Sequence, residues 1–280
     1  MPRDVYQPPP PRHDGGLSRR ALLRFGWSDR ARADIDYEGV TGRVRDRWTA
    51  AGHEPLLRAL EPAAAVVCQL AGVGPGRRVL DVGAGDGNVA AAALDRDAVV
   101  DACDLAPAMV ERGRARVPGA HWRVGDAQAL PYADGSFDAV LSAFGAALAP
   151  RARTTARELV RVVRPGGVVV LAAWVPKGLP GRLDELAVLP DGVRPPADWG
   201  VRDIATRRLE PLLDDLELRT RTVQLDFADP DALWRALAPP AGLGERARPA
   251  FDALLGSCNN LPGGAQVDAR YLLAVGRRAE

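Results

Sequence analysis

The stretch "RRVLDVGAGDGNVAAAAL", residues 77–94, constrains this chain more than any other. A short apolar run closes on Asp81, glycines stand at 83, 85 and 87, and an alanine-rich segment follows. Glycine is costly inside regular structure, so this spacing marks a sharp turn or a close approach to a ligand. We expect a strand, a glycine turn and a helix opening near Asn88. Side chains at Gly83, Gly85 or Gly87 would keep a ligand off the turn, and the amides at the helix start favour a polar or anionic group. The form is D-x-G-x-G-x-G. A dinucleotide fingerprint, G-x-G-x-x-G, needs glycine or alanine where Asn88 stands, and a phosphate-binding P-loop needs a lysine that is missing here. A purely structural turn is the other reading of this stretch taken alone.

The flanking pattern narrows the choice. Short β-branched runs, "RVLDVG", "AVVDACD", "HWRVGD", "FDAVLSAFG" and "GVVVLAAW", alternate with alanine- and arginine-rich helical stretches. Such alternation implies parallel β-α-β units with right-handed crossovers, each strand buried on both faces. Two further acids keep step with the glycine turn. Asp104 ends the second run, 23 residues after Asp81, and Asp126 ends the third, 22 residues after Asp104. An acid at the end of the second strand can accept both hydroxyls of a ribose. Leu105 and Met109 can pack against a base, and Asp126 can accept from its exocyclic amine. A strand-end acid can also cap the following helix, but three in step with one glycine turn point to a nucleoside ligand.

Taken in order, "VLDVGAGDGNVA", "VDACDLAPAMV", "VGDAQALPYADGSFDAVLSAFG" and "RPGGVVVLAAW" resemble the class I S-adenosylmethionine-dependent methyltransferases. The likeness is nearest to the small-molecule branch related to quinone biosynthesis. It covers residues 54–277, including a closing strand "YLLAVGRR". The resemblance implies a Rossmann-like, doubly wound α/β fold with a mostly parallel seven-stranded sheet of order 3-2-1-4-5-7-6, the last strand antiparallel. It implies S-adenosyl-L-methionine as cofactor and S-adenosyl-L-homocysteine as product. On this likeness the methionine part lies on the loop of Gly83, Gly85 and Gly87, supported by Asp81. Asp104 takes the ribose hydroxyls, Leu105 and Met109 flank the adenine, Asp126 and Ala127 read its amino edge, and Ser142 lies beside the methyl-donor end.

Absences narrow the acceptor. Asn-Pro-Pro-Tyr and Asp-Pro-Pro-Tyr motifs of nucleic-acid amino methylation do not follow the fourth strand, where the chain reads "SAFG". No Pro-Cys nucleophile is present, and Cys68, Cys103 and Cys258 have no metal or disulfide spacing. A formal net charge of +1 calls for neither nucleic acid nor a membrane surface. The arginines near the start are diluted by acids and read as a solvated face. "SRRALLR" is not followed by the apolar segment of an export signal, so a cytoplasmic protein is expected. A small organic acceptor is the remaining class, either a quinone-like compound or a secondary metabolite. The alternative is a cofactor-binding enzyme that cyclises or rearranges a natural product without methylating it. No pattern sets the oligomeric state.

The organisation expected is a disordered arm over residues 1–16, a helical cap over 17–71, and a cofactor-binding domain over 72–280 with a lid insertion around 175–215. An amphipathic helix is expected around residues 207–216, before two further strands. Methyl transfer needs in-line placement in a dry pocket, and a base if the acceptor carries a proton. The candidate bases are His53, which a helix start explains equally well, and Tyr37. His13 falls in the arm, and His121 opens a strand. Trp48, Phe144, Trp174 and Trp199 are the expected acceptor-pocket residues, with Trp27 a possible local core residue. No metal site is expected.

Overall fold

A computed structural model describes residues 35–50 and 52–280. The arm over residues 1–16 and the first part of the cap, with His13 and Trp27, lie outside the described residues. Three helices come first: α1 (Tyr37–Thr49), α2 (Glu54–Ala59) and α3 (Glu61–Leu70). Next come β1 (Arg78–Val82), α4 (Asn88–Leu94), β2 (Val99–Asp104), α5 (Pro107–Arg116), β3 (His121–Val124), β4 (Phe137–Ala143), α6 (Ala152–Val162) and β5 (Val163–Trp174). The sheet order is β3-β2-β1-β4-β5-β7-β6. Pairs from β3 across to β5 are parallel, and β7 (Ala265–Arg277) runs antiparallel to both β5 and β6 (Asp214–Phe227).

The two faces of the sheet follow from strand alternation. In β5, Val168, Val170 and Ala172 face one core with Ala64 and Val67 of α3 and Ala90 and Ala93 of α4. Val169, Leu171 and Ala173 face the other, with Leu159 of α6. Every residue of β1 after Arg78 is buried, as a central parallel strand requires. Helix α3 therefore belongs to the layer that covers the sheet, although it lies before residue 71.

Between β5 and β6 stand α7 (Leu179–Leu186), a 3-10 turn (Pro196–Gly200) and α8 (Arg202–Leu209). The helix expected over 207–216 is displaced: α8 stops at Leu209, and β6 begins at Asp214. Asp215 takes φ 52, and the register against β7 shifts between Asp214 and Glu217, so β6 opens with a bulge. Between β6 and β7 come α9 (Pro230–Ala241) and α10 (Arg248–Gly256). Helix α9 packs against α1, α2 and α7. Helices from late in the chain and from its early part therefore pack together.

Candidate functional site

A cavity opens at the carboxyl ends of the parallel strands, where β1 and β4 neighbour each other, and continues beneath α1, α7 and α9. Ligands collect at such switch points in doubly wound sheets. The turn after β1 forms its floor. Gly83 and Gly85 have φ of 65° and 56°, values that suit glycine. Their roles differ. A Cβ on Gly83 would stand 2.7 Å from Gly145 Cα, so this glycine lets two turns cross. A Cβ on Gly85 would meet only Leu57 Cδ2, at 3.3 Å, so its open side belongs to the cavity. Gly87 is different again. A Cβ there would press on the Trp122 ring at 2.9 Å, and Gly87 is not on the cavity wall. The expectation that all three glycines clear room for a ligand is corrected at Gly83, whose missing Cβ admits Gly145, and at Gly87, which at φ 99 admits the Trp122 ring.

Three carboxylates lie along this floor, each engaged by amides rather than by a basic side chain. Asp81 is 1% exposed, and its Oδ2 accepts from the Ala90 amide of α4 at 3.0 Å. Burial pushes its carboxyl up to about 8. Asp104 accepts from Gly85 N and Ala106 N, both at 2.9 Å. Burial raises its carboxyl to about 6 against the pull of those amides. Asp126 accepts from Gln128 N at 2.8 Å, and the Gln128 side-chain amide lies 3.0 and 3.1 Å from its two oxygens. That same Nε2 is 3.1 Å from Thr41 Oγ1 of α1. Each carboxylate oxygen holds more than one lone pair, so acceptor capacity is left over. Acids in a cleft without basic partners suit a ligand that is cationic and rich in hydroxyl and amine donors. A sulfonium nucleoside bearing an amino group has that chemistry. Leu105 and Ala127 line the same end.

The other end is apolar. Phe144 stacks on Trp174 with ring centroids 4.0 Å apart, and Trp48, Leu183, Leu237 and Pro240 complete the wall. Phe144 holds φ 71 and ψ −30, a strained conformation for a residue with a side chain. Its amide donates to Ala172 O at 3.0 Å, which ties the bent turn to β5.

Several residues expected here lie elsewhere. His53 is 1% exposed, donates from Nε2 to Arg47 O at 2.9 Å and packs on Trp48 at 4.8 Å. Burial lowers its pKa. It is a neutral structural ring at the start of α2, outside the cavity wall. Tyr37 also misses the wall and lies under the Arg151 guanidinium at 4.9 Å. Met109 is fully buried behind the wall with Leu57 and Ala106. Ser142 is buried too. Its Oγ donates to Val82 O at 2.7 Å and accepts from Ala146 N at 2.9 Å, fastening β1 to the turn after β4. Trp199 is 2% exposed, with Arg208 over its ring at 4.6 Å, while its neighbours Pro196 and Ala197 reach the cavity. In each case residue type or the family resemblance suggested a site, and the side chain's direction decided otherwise.

Sequence reasoning missed Asp184 and Gln128. Asp184, on α7, lines the cavity and accepts from Ala197 N through Oδ2 at 2.8 Å. An acid one turn from Pro180, in a helix of mixed pattern, gave no motif to notice. Among the described residues no cluster could hold a metal ion, and no helix is long and apolar enough to cross a membrane.

Residues 80–171 match the family model for a methyltransferase domain. An uncharacterized protein of Mycobacterium tuberculosis H37Rv is 37% identical over 201 residues, covering 67% of this chain and 72% of that protein. The demethylmenaquinone methyltransferase of Beutenbergia cavernae is 44% identical over 103 residues, covering 37% of this chain and 43% of its own length. The YcgJ protein of Bacillus subtilis superposes with a TM-score of 0.56 at 19% identity, over 78% of this chain and 99% of that one. The chain belongs to the class I S-adenosylmethionine-dependent methyltransferases, with S-adenosylmethionine as its cofactor.

Proposed function

We propose that the protein transfers the methyl group of S-adenosylmethionine to a small, largely apolar organic acceptor, quinone-like or a secondary metabolite, held under the cap. The observation that carries this reading is one continuous cavity. It joins the carboxylates of Asp81, Asp104 and Asp126 to the aromatic wall of Phe144, Trp174 and Trp48. A pocket with apolar walls and few polar groups suits an apolar ligand with a single reacting handle. The match to a demethylmenaquinone methyltransferase over part of the chain supports a ring-bearing acceptor. In this reading Asp104 accepts from the ribose hydroxyls, Leu105 packs on the adenine, and Asp126 with Ala127 faces its amino edge. Asp81 and the backbone of Gly83 and Gly85 hold the amino-acid end. The cofactor supplies an activated methyl group. The chain's own task is to align the acceptor with it and to exclude water by closing α1, α7 and α9 over the cavity. Three free thiols support a reducing, cytoplasmic setting.

Incubation with S-adenosylmethionine and a panel of hydroquinones and naphthols should release S-adenosylhomocysteine in step with a methylated product. Consumption of an acceptor without S-adenosylhomocysteine would replace this reading by non-methylating chemistry.

A further inference from the structure

The acceptor end of the cavity contains a carboxylate outside the acids at the strand ends. Asp184 of α7 lines the cavity, as do Trp174, Pro180, Leu183 and Ala197. One of its oxygens, Oδ2, is fixed by the Ala197 amide at 2.8 Å. Oδ1 accepts no hydrogen bond from any described residue. That oxygen is accessible rather than sealed into the wall, so its acceptor capacity is open to a ligand in the cavity.

We propose that Oδ1 of Asp184 binds and deprotonates a phenolic hydroxyl on the acceptor, so that the substrate class is a flat aromatic ring bearing an O–H. This deepens the methyl-transfer reading and rests on it. In the step, the acceptor's O–H bond breaks and the proton passes to Oδ1. The bonding pair stays on the acceptor oxygen as the nucleophile's lone pair. The carboxylic acid returns its proton to water after the product leaves. A weak base of this kind suits a phenol, with a pKa of about 10, rather than an aliphatic alcohol. Arg45 on the cavity wall, and Arg47 acting on Asp184 from α1, disfavour a cationic amine in the same place. The stacked rings of Phe144 and Trp174 offer a flat wall for the aromatic body. Burial and the nearby Asp198 raise the Asp184 carboxyl to about 6, with Arg47 pulling the other way, so it is ionised and able to accept at neutral pH.

The test uses calorimetry on the full chain saturated with S-adenosylhomocysteine, titrated with 2-naphthol or with its methyl ether. At pH 7.5 the parent protein should bind the naphthol about tenfold more tightly. Asp184→Asn should cut that preference to within about twofold. The asparagine oxygen keeps the Ala197 hydrogen bond, which leaves an NH₂ group facing the ligand. Affinity for the methyl ether and for S-adenosylhomocysteine should not change, which reports an intact fold. In the parent, the preference should also shrink at pH 5, where the carboxyl is protonated. A preference that survives Asp184→Asn, no preference in the parent, or binding of neither probe overturns the proposal while leaving the cofactor reading intact. Failure of the parent to bind S-adenosylhomocysteine overturns both.

Discussion

At the floor of the cavity, backbone amides fix the polar groups; at its apolar end, side chains from distant segments make the wall. The turn of Gly83 and Gly85 leaves β1 along a single path, and Asp104 is clamped by amides of its own turn and of the glycine turn. The apolar wall instead collects Trp48 from α1, Phe144 after β4, Trp174 at the end of β5, Leu183 from α7 and Leu237 from α9. A backbone-built site tolerates little change but hardly depends on which apolar residues surround it. A side-chain-built site can be re-tailored residue by residue while the frame stays as it is.

The contrast can be broken most directly at the crossing of the two turns. Valine at Gly145 would put its Cβ within van der Waals overlap of Gly83 Cα, at 2.7 Å, with backbone on both sides and nothing flexible to yield. Gly145→Val should cost about 3 kcal/mol or more in urea denaturation. Unchanged stability would mean that the turns do not cross this closely. Asp104→Ala should act on binding. With the ribose hydroxyls unpaired, cofactor affinity measured by calorimetry should weaken by about 1–3 kcal/mol. Unchanged affinity in a folded variant would remove Asp104 from the cofactor site.

A pH titration is the most diagnostic test of the buried acids. Asp104 and Asp81 have carboxyls raised to about 6 and about 8. Their contribution to stability is therefore complete below the unfolded value of about 4 and is lost as pH rises through those two values. Stability without cofactor should fall between pH 5 and 8. In the proposed reading the cofactor binds to the ionised Asp104, so affinity should move the other way, rising about tenfold from pH 5 to 7. Parallel trends in the two measurements would contradict the assignment.

The same contrast explains what could be read from sequence. Strand alternation, the glycine turn and the acids at 81, 104 and 126 were legible because backbone needs restrict residue type. The strand order came through the family resemblance and agrees with the sheet. Asp184 was invisible because a carboxylate on a helix is ordinary until the fold turns it inward. His53, Ser142 and Met109 were misplaced for the converse reason. Each is a plausible site residue, but the packing faces it away from the cavity. Pro240 reaches the wall only because α9, inserted between β6 and β7, folds back onto α1 and α7.

Phe144 joins both kinds of construction, since its ring belongs to the acceptor wall and its backbone to a turn that suits glycine better. The strain there costs on the order of 1–3 kcal/mol. A glycine at this position would relax the turn and surrender the stacked ring. Robustness and selectivity therefore pull this codon in opposite directions.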